Sequence, residues 1–388
     1  MENIYLDWAA TAIPNSKILE LMYETAQNVY GNCSSQHKIG LEASDLLEKS
    51  RNLIAGAVQT KPKHIIFTSG GTESNNLVLN SVIQKRKAGQ IIIGPTEHAA
   101  VFEPAKTLAN MGMPLQVIPS DQNGTINLKK LKNCITQNTS IISVMYVNNE
   151  TGIIQPIEEI IEIVRNEEKK FGHSIHIHTD AVQALGKIPF SLKKLDVDSA
   201  SFSAHKIGGP KGCGALFLKK SLYTIFTGGG QERGIRPGTE NLPGIYAFAK
   251  ASETVTQNIS KNYKKAQEII SYLKNRLFEV GATCILPKER KNSEIGFSPY
   301  ILNVSFSPVP GEVLQRVLND NGIFVSTGSA CSSNKKKKTR VLEMHNFSKK
   351  DIESAIRISI GPSTTKTDID TFVNTIKKEL PILKSVAY

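Results

Sequence analysis

The chain has 388 residues, 40% of them hydrophobic and 21% charged, with a formal net charge of +12. It is long enough for two or three domains around a large buried core, and no apolar run approaches the ~20 residues of a bilayer-spanning helix. Five widely spaced cysteines (Cys33, Cys134, Cys213, Cys284 and Cys331) without a CxxC pair argue against a disulfide framework or a structural zinc site, and Met1–Asp7 lacks the basic and apolar regions of a signal peptide, so a cytoplasmic protein is expected.

Strand-like runs and helical patterns alternate through the first two-thirds. His64–Phe67 reads as a strand, and Thr68-Ser-Gly-Gly-Thr-Glu-Ser-Asn75 follows it into a helix over Glu73–Lys87. Glycine N–H groups at a helix N-terminus make an anion site, to which Thr72 adds a hydroxyl; ordinary capping explains the same residues. The strand Gln90–Ile93 leads to Glu97-His98, where an imidazole would stack on a flat ring and move protons, or simply occupy a loop. Leu115–Ile118 and Ile141–Val147 follow, the second ending in Asn148-Asn-Glu-Thr-Gly152, a turn placed where a ligand would sit. After a helix over Ile157–Lys169, the strand Ile175–His178 leads to Asp180-Ala-Val-Gln183, and Val197–Phe202 leads to Ser203-Ala-His-Lys206. Ala215–Leu218 is the last strand of the run. The segment 228–239, with Arg233, Arg236 and Thr239, would offer a phosphate or carboxylate contact, or be a flexible loop. This alternation predicts an α/β fold with a mostly parallel sheet covered by helices on both faces, and ligands bound beyond the carboxyl ends of its strands.

A polar helical stretch, Glu253–Val280, leads to a smaller α+β unit. Its elements are the strand Tyr300–Phe306, a helix over Gly311–Asn319, the strand Ile323–Ser326, and helices near Lys349 and Asp368. Thr327-Gly-Ser-Ala-Cys331-Ser-Ser surrounds a cysteine with small polar residues, unlike an inert buried thiol. Arg357, in the apolar run Ala355–Ile360, needs an anionic partner: a substrate carboxylate held in two bonds, or an internal salt bridge. Lys335–Lys338 form a run of four lysines; the remaining basic residues are spread along the chain, so a solvated basic surface is expected before nucleic-acid binding.

Asp180 and Lys206 at adjacent strand ends are the chemistry of a pyridoxal phosphate (PLP) site. A lysine forms an imine with the aldehyde, and a carboxylate pairs with the ring nitrogen. His176, His178 and Asp180 share one face of their strand, a spacing that would also suit a metal. Nothing nearby completes a metal site, however, whereas Gln183, Ser203, His205 and Lys206 complete one for PLP.

Seven motifs in order carry a resemblance over nearly the whole chain: SGGTESN, TEHAAV, VNNETG, DAVQ, SAHKIGGPKG, GGGQERGIRPGT and TGSACSS. The sequence resembles the NifS/IscS-like cysteine desulfurases of the class V aminotransferase family. The resemblance implies a PLP-dependent transferase of fold type I. Its large domain, 15–255, would hold the cofactor, and a small domain, 1–14 with 256–388, would carry the catalytic cysteine. It makes Lys206 the Schiff-base lysine and Asp180 the partner of the pyridinium nitrogen, with Gln183 on the ring hydroxyl oxygen. His98 would stack on the ring and assist proton transfer. Gly71, Thr72, Ser203 and His205 would bind the phosphate, and Thr239 would reach the phosphate of a partner subunit, implying a homodimer. Asn149 would contact cofactor or substrate, Arg357 would hold the substrate carboxylate, and Cys331 would be the nucleophile. The implied reaction takes L-cysteine to L-alanine and leaves the sulfur on Cys331 as a persulfide for an iron–sulfur scaffold, a tRNA-thiolation relay or another acceptor. Selenocysteine lyase and same-fold aminotransferases are the alternative activities, and a basic scaffold or tRNA-binding protein the non-enzymatic one. Trp8 after Asp7, Cys33 after Gly31-Asn32, and the lysine run depart from the family pattern. That run would favour the Cys331 thiolate and steer an acidic acceptor, or be an inert solvated loop.

Overall fold

The computed structural model describes residues 3–84, 89–121, 123–327, 340–344 and 347–386. A seven-stranded mixed sheet runs in the order Ile65–Thr68, Gly214–Leu218, Ser199–Ser203, His176–Asp180, Thr139–Ser143, Gln90–Ile93, Leu115–Val117. Gly214–Leu218 is antiparallel to both neighbours, and the other pairings are parallel. Two consecutive antiparallel pairings restore direction, so Ile65–Thr68, Ser199–Ser203 and His176–Asp180 all end on the same edge.

Side chains alternate across these strands. Ile92, Ile142, Ala215 and Phe217 enter one core cluster; Ile91, Ile93, Ile141, Leu216 and Leu218 enter another. Both faces are therefore covered, which is why strands such as Gln90–Ile93 and Gly214–Leu218 read as apolar runs rather than alternating ones; His176–Asp180 and Ser199–Ser203 are as buried but mostly polar. The first cluster packs under Lys38–Ala57, Ile157–Phe171 and Leu242–Gln257, the second under Gly71–Asn80 and Ala99–Asn110.

A third core joins the two ends of the chain. Ile4 and Leu6 pack with Leu273, Val304, Phe372 and Ile376. Around it lie an antiparallel sheet in the order Ala355–Ser359, Ile301–Ser305, Cys284–Leu286, and the parallel pair Ile4–Tyr5 with Ile323–Phe324. No helix among the described residues is long and apolar enough to cross a membrane.

The expected helix over Glu253–Val280 is two helices, Leu242–Gln257 and Ile259–Glu279. The break falls where Thr254, Thr256 and Asn258 turn their side chains onto carbonyls one turn back, at Lys250, Ser252 and Thr254, competing with the backbone. The expected helix over Glu73–Lys87 spans Gly71–Asn80 and passes into a 3-10 turn, Ser81–Gln84. The strand expected over Ile141–Val147 is Thr139–Ser143; past it, Val144 and Tyr146 still donate to His178 and Asp180 carbonyls at 3.0 Å each. Two N-terminal helices, Ser16–Asn28 and Lys38–Ala57, escaped the sequence reading because exposed Leu19, Tyr23 and Leu41 blur their apolar period.

Candidate active site

The shared strand edge opens into a cavity of about 160 Å³. Asp180 closes one strand and Ser203 its neighbour, with Lys206 in the 3-10 turn after Ser203. Lys206 Nζ donates to the carbonyls of Ala9 and Ala10 at 2.8 and 2.7 Å. Asp180 Oδ1 accepts from Val182 N at 3.0 Å, and Oδ2 from Asn75 Nδ2 at 2.7 Å. Asn75 turns its Oδ1 to His178 Nε2 at 2.9 Å, and His178 Nδ1 meets Ser199 Oγ at 2.8 Å. Burial, with His176 beside it, pushes His178 down to about 3. The ring is therefore neutral: Nε2–H donates to Asn75, and Nδ1 accepts from Ser199. Both nitrogens face protein partners, so this strand carries a brace for Asp180 in place of a metal pair. Among the described residues no group of three His, Cys, Asp or Glu could hold a metal ion.

His98 caps the helix Ala99–Asn110, its Nδ1 accepting from Ala100 N at 3.1 Å. That leaves Nε2 for the cavity it lines. Burial holds its pKa below the ordinary 6.5; Asp180 works against the shift, Lys206 and Arg340 with it. Gln183 and Asn149 complete this inner part. Gly71, Thr72, Ser203 and His205 line both the cavity and an adjoining hollow of about 400 Å³, which Ser69, Gly70 and Lys211 also reach. His205 Nδ1 lies 3.0 Å from Thr11 Oγ1, and burial with Lys206, Lys187 and Lys211 pushes it down to about 4. Gly214 has to be glycine: a Cβ there would stand 2.5 Å from Gly70 Cα and 2.7 Å from Phe202 O. An amine and a carboxylate inside, with a helix N-terminus, two hydroxyls and an imidazole outside, suit a pyridine ring with an anionic tail.

The class-V aminotransferase model matches residues 4–372. "Cysteine desulfurase IscS" of Dictyoglomus turgidum is 36% identical over 99% of this chain and 96% of its own length. "Cysteine desulfurase, mitochondrial" of Candida maltosa is 37% identical over 99% of this chain and 78% of its own length. Among solved structures, a "NIFS-LIKE PROTEIN" superposes with a TM-score of 0.90 at 37% identity, covering 98% of this chain and all of that one.

The chain belongs to the cysteine desulfurases of the class-V aminotransferase family. Enzymes of this family are PLP-dependent, and the fold is the type I fold expected from the motifs.

Not every expected residue of this desulfurase lines the cavity. Arg357 is buried beside it, with Nη2 2.6 Å from Asp7 Oδ1 and Nη1 donating to Asn149 O at 2.9 Å; its Nε has no partner among the described residues. It thus makes the internal salt bridge and also holds the backbone of Asn149. Thr239 is exposed and lines no part of the cavity. Its loop is tied down instead by Glu232, which takes two 2.8 Å bonds from Arg51 and one of 2.7 Å from Phe67 N. Glu232 and Arg233 adopt φ of 45° and 58°, a left-handed conformation that costs a non-glycine residue about 1–3 kcal/mol.

Cys331 and Lys335–Lys338 lie outside the described residues. The described residues before and after them adjoin the site. Ser326 N donates to Arg357 O at 3.1 Å, and Arg340 donates to the carbonyls of Pro95 (3.0 Å) and Glu97 while lying 4.1 Å from the Phe102 ring. Burial raises the other four thiols, Cys33 and Cys213 to about 11 and Cys284 to about 12. None of them lines the cavity.

Asn75, Arg51, Arg340 and Arg290 were missed by sequence reasoning. Arg290 is fully buried and donates to carbonyls of Thr151, Ser298 and Ile301, fixing the turn that carries Asn149. Asn75 alone left a signal: it stands four residues after Gly71 in the anion-site motif, and so on the same helix face.

Proposed function

We propose that this protein converts L-cysteine to L-alanine and passes the sulfur to Cys331 as a persulfide. The observation that carries the reading is the meeting of Lys206, Asp180 and His98 in one cavity next to a cup for an anion. Bound PLP supplies an electron sink for the charge that develops at the substrate Cα. Asp180, braced by Asn75, holds the proton on the ring nitrogen. Gly71, Thr72, Ser203 and His205 would hold the phosphate, Gln183 would donate to the ring hydroxyl oxygen, and His98 would stack on the ring and assist proton transfer. Lys206 Nζ takes the proton from the substrate Cα. Asn149 and Arg357 hold the substrate carboxylate, which Arg357 reaches from beside the cavity by exchanging its bond to Asp7 for the substrate. Cys331 Sγ then forms the S–S bond as the Cβ–S bond breaks. Of the two thiol protons that enter, one ends on the alanine Cβ and the other on the persulfide, so no external oxidant is needed.

The same reading divides the chain into a cofactor-holding part, 15–255, and a part that carries Cys331, 1–14 with 256–388. It makes the working form a cytoplasmic homodimer in which Thr239 serves the partner's phosphate, and it passes the sulfur to an iron–sulfur scaffold or a tRNA-thiolation relay. Reconstitution with PLP tests the site. A visible imine band that responds to L-cysteine is expected. Lys206→Ala should abolish the imine and slow alanine formation by ~10²–10⁴-fold. A protein that takes up no PLP would be a basic scaffold instead.

A further inference from the structure

The reaction above does not use Lys187, the first lysine after Asp180. Lys187 is 8% exposed, and its amine donates to Gln183 Oε1. Consecutive turns, with Leu185 N on Ala181 O and Ile188 N on Ala184 O, bring residues 183 and 187 together. Lys187 also lines a second cavity, of about 60 Å³, with Lys206, Trp8 and Tyr300, and no carboxylate lines it. An enclosed ammonium without an anion is strongly disfavoured, whereas an uncharged amine is not. Burial first, then Lys206 and Arg357, press the Lys187 pKa well below 10.5.

Gln183 is fixed from two sides. Its Nε2 donates to Ala9 O at 2.9 Å, and since a carbonyl only accepts, the nitrogen must face Ala9. Its oxygen is taken by Lys187. The amide therefore has one orientation, which leaves a single N–H for the cavity that Gln183 lines with Lys206, His98 and Asp180. The Ala9 carbonyl also accepts from Lys206 Nζ at 2.8 Å. Lys187, Gln183, Ala9 and Lys206 are thus one hydrogen-bonded chain.

We infer that Lys187 is a positioning residue that locks the Gln183 amide with an N–H toward the cofactor's ring oxygen and, through the Ala9 carbonyl, sets where the Lys206 amine rests. The inference rests on the PLP reading of the cavity. It assigns Lys187 the role of a hydrogen-bond donor, which glutamine can imitate and methionine cannot.

The test uses the full-length protein stripped of cofactor and titrated with PLP, read by the visible band and by quenching of tryptophan emission. Lys187→Met should weaken PLP binding about tenfold and shift the band. Lys187→Gln should bind within about threefold of wild type, with the band in place. Wild-type affinity and an unmoved band in Lys187→Met would overturn the inference. Where Lys187→Met does not fold, Lys187→Gln decides: near-wild-type binding supports the role, and a tenfold loss overturns it. A wild-type protein with no visible band overturns the PLP reading itself, an outcome separate from an unmoved Lys187→Met.

Discussion

Asp180 is one end of a line of buried polar groups: Ser199, His178, Asn75, then the carboxylate. Asn75→Ala removes the middle of that line. It leaves Asp180 short of a donor and the buried His178 Nε2–H without an acceptor, so it should destabilise the fold by about 1–3 kcal/mol and loosen PLP, both readable by urea unfolding and cofactor titration. Asp180, Gln183 and Lys206 were legible in the sequence because their residue types and short spacings suffice. Asn75 left only its helix-face spacing from Gly71, because its carboxylate partner lies 105 positions away.

Glu150, fully buried in the turn beside Asn149, is pushed up to about 7 by burial, with Arg357 and Arg340 acting the other way. Between pH 4.5 and about 7 the folded state keeps a proton that the unfolded chain has lost. The group's contribution is therefore full below pH 4.5, declines by up to about 1.4 kcal/mol per pH unit as pH rises to about 7, and is level above. Glu150→Gln should flatten that part of the stability profile in urea unfolding; parallel profiles would contradict the assignment.

At the level of elements, Trp8 departs from the family pattern and Gly361 accommodates it. A Cβ at 361 would stand 2.1–2.3 Å from the indole ring, and the indole N–H donates to Tyr5 O at 3.0 Å. The entry strand and the segment after Ala355–Ser359 are thereby packed against each other. Gly361→Ala should displace the ring at a cost of about 1–3 kcal/mol. Because the chain has a single tryptophan, its emission reports the displacement directly. This contact was invisible in the sequence, as was the break at Asn258, since both depend on what a side chain finds after folding. Strands such as Gln90–Ile93 and Gly214–Leu218 were legible because burial on both faces writes them as apolar runs, whereas His176–Asp180 and Ser199–Ser203 are buried yet mostly polar.

Across the whole molecule, chemistry is assembled from segments far apart in the chain. Arg357 reaches Asp7 and Asn149, and Arg340 reaches Pro95 and Glu97. These bonds tie the residues on either side of the Cys331 segment to the strand edge that carries Asp180 and Lys206. The order of motifs made the family legible, but it says nothing of these cross-links, whose partners are mostly backbone carbonyls with no residue-type signature. The proposed reaction is a relay in which Lys206 moves the α-proton and Cys331 takes the sulfur. Its most direct test is mass spectrometry of the Cys331 peptide after PLP-loaded protein meets L-cysteine without reductant. One added sulfur atom on Cys331 and alanine in equal amount are expected, both formed at least ~10²-fold more slowly in Lys206→Ala. Alanine formed while Cys331 stays unmodified, or sulfur carried on another cysteine, would contradict it.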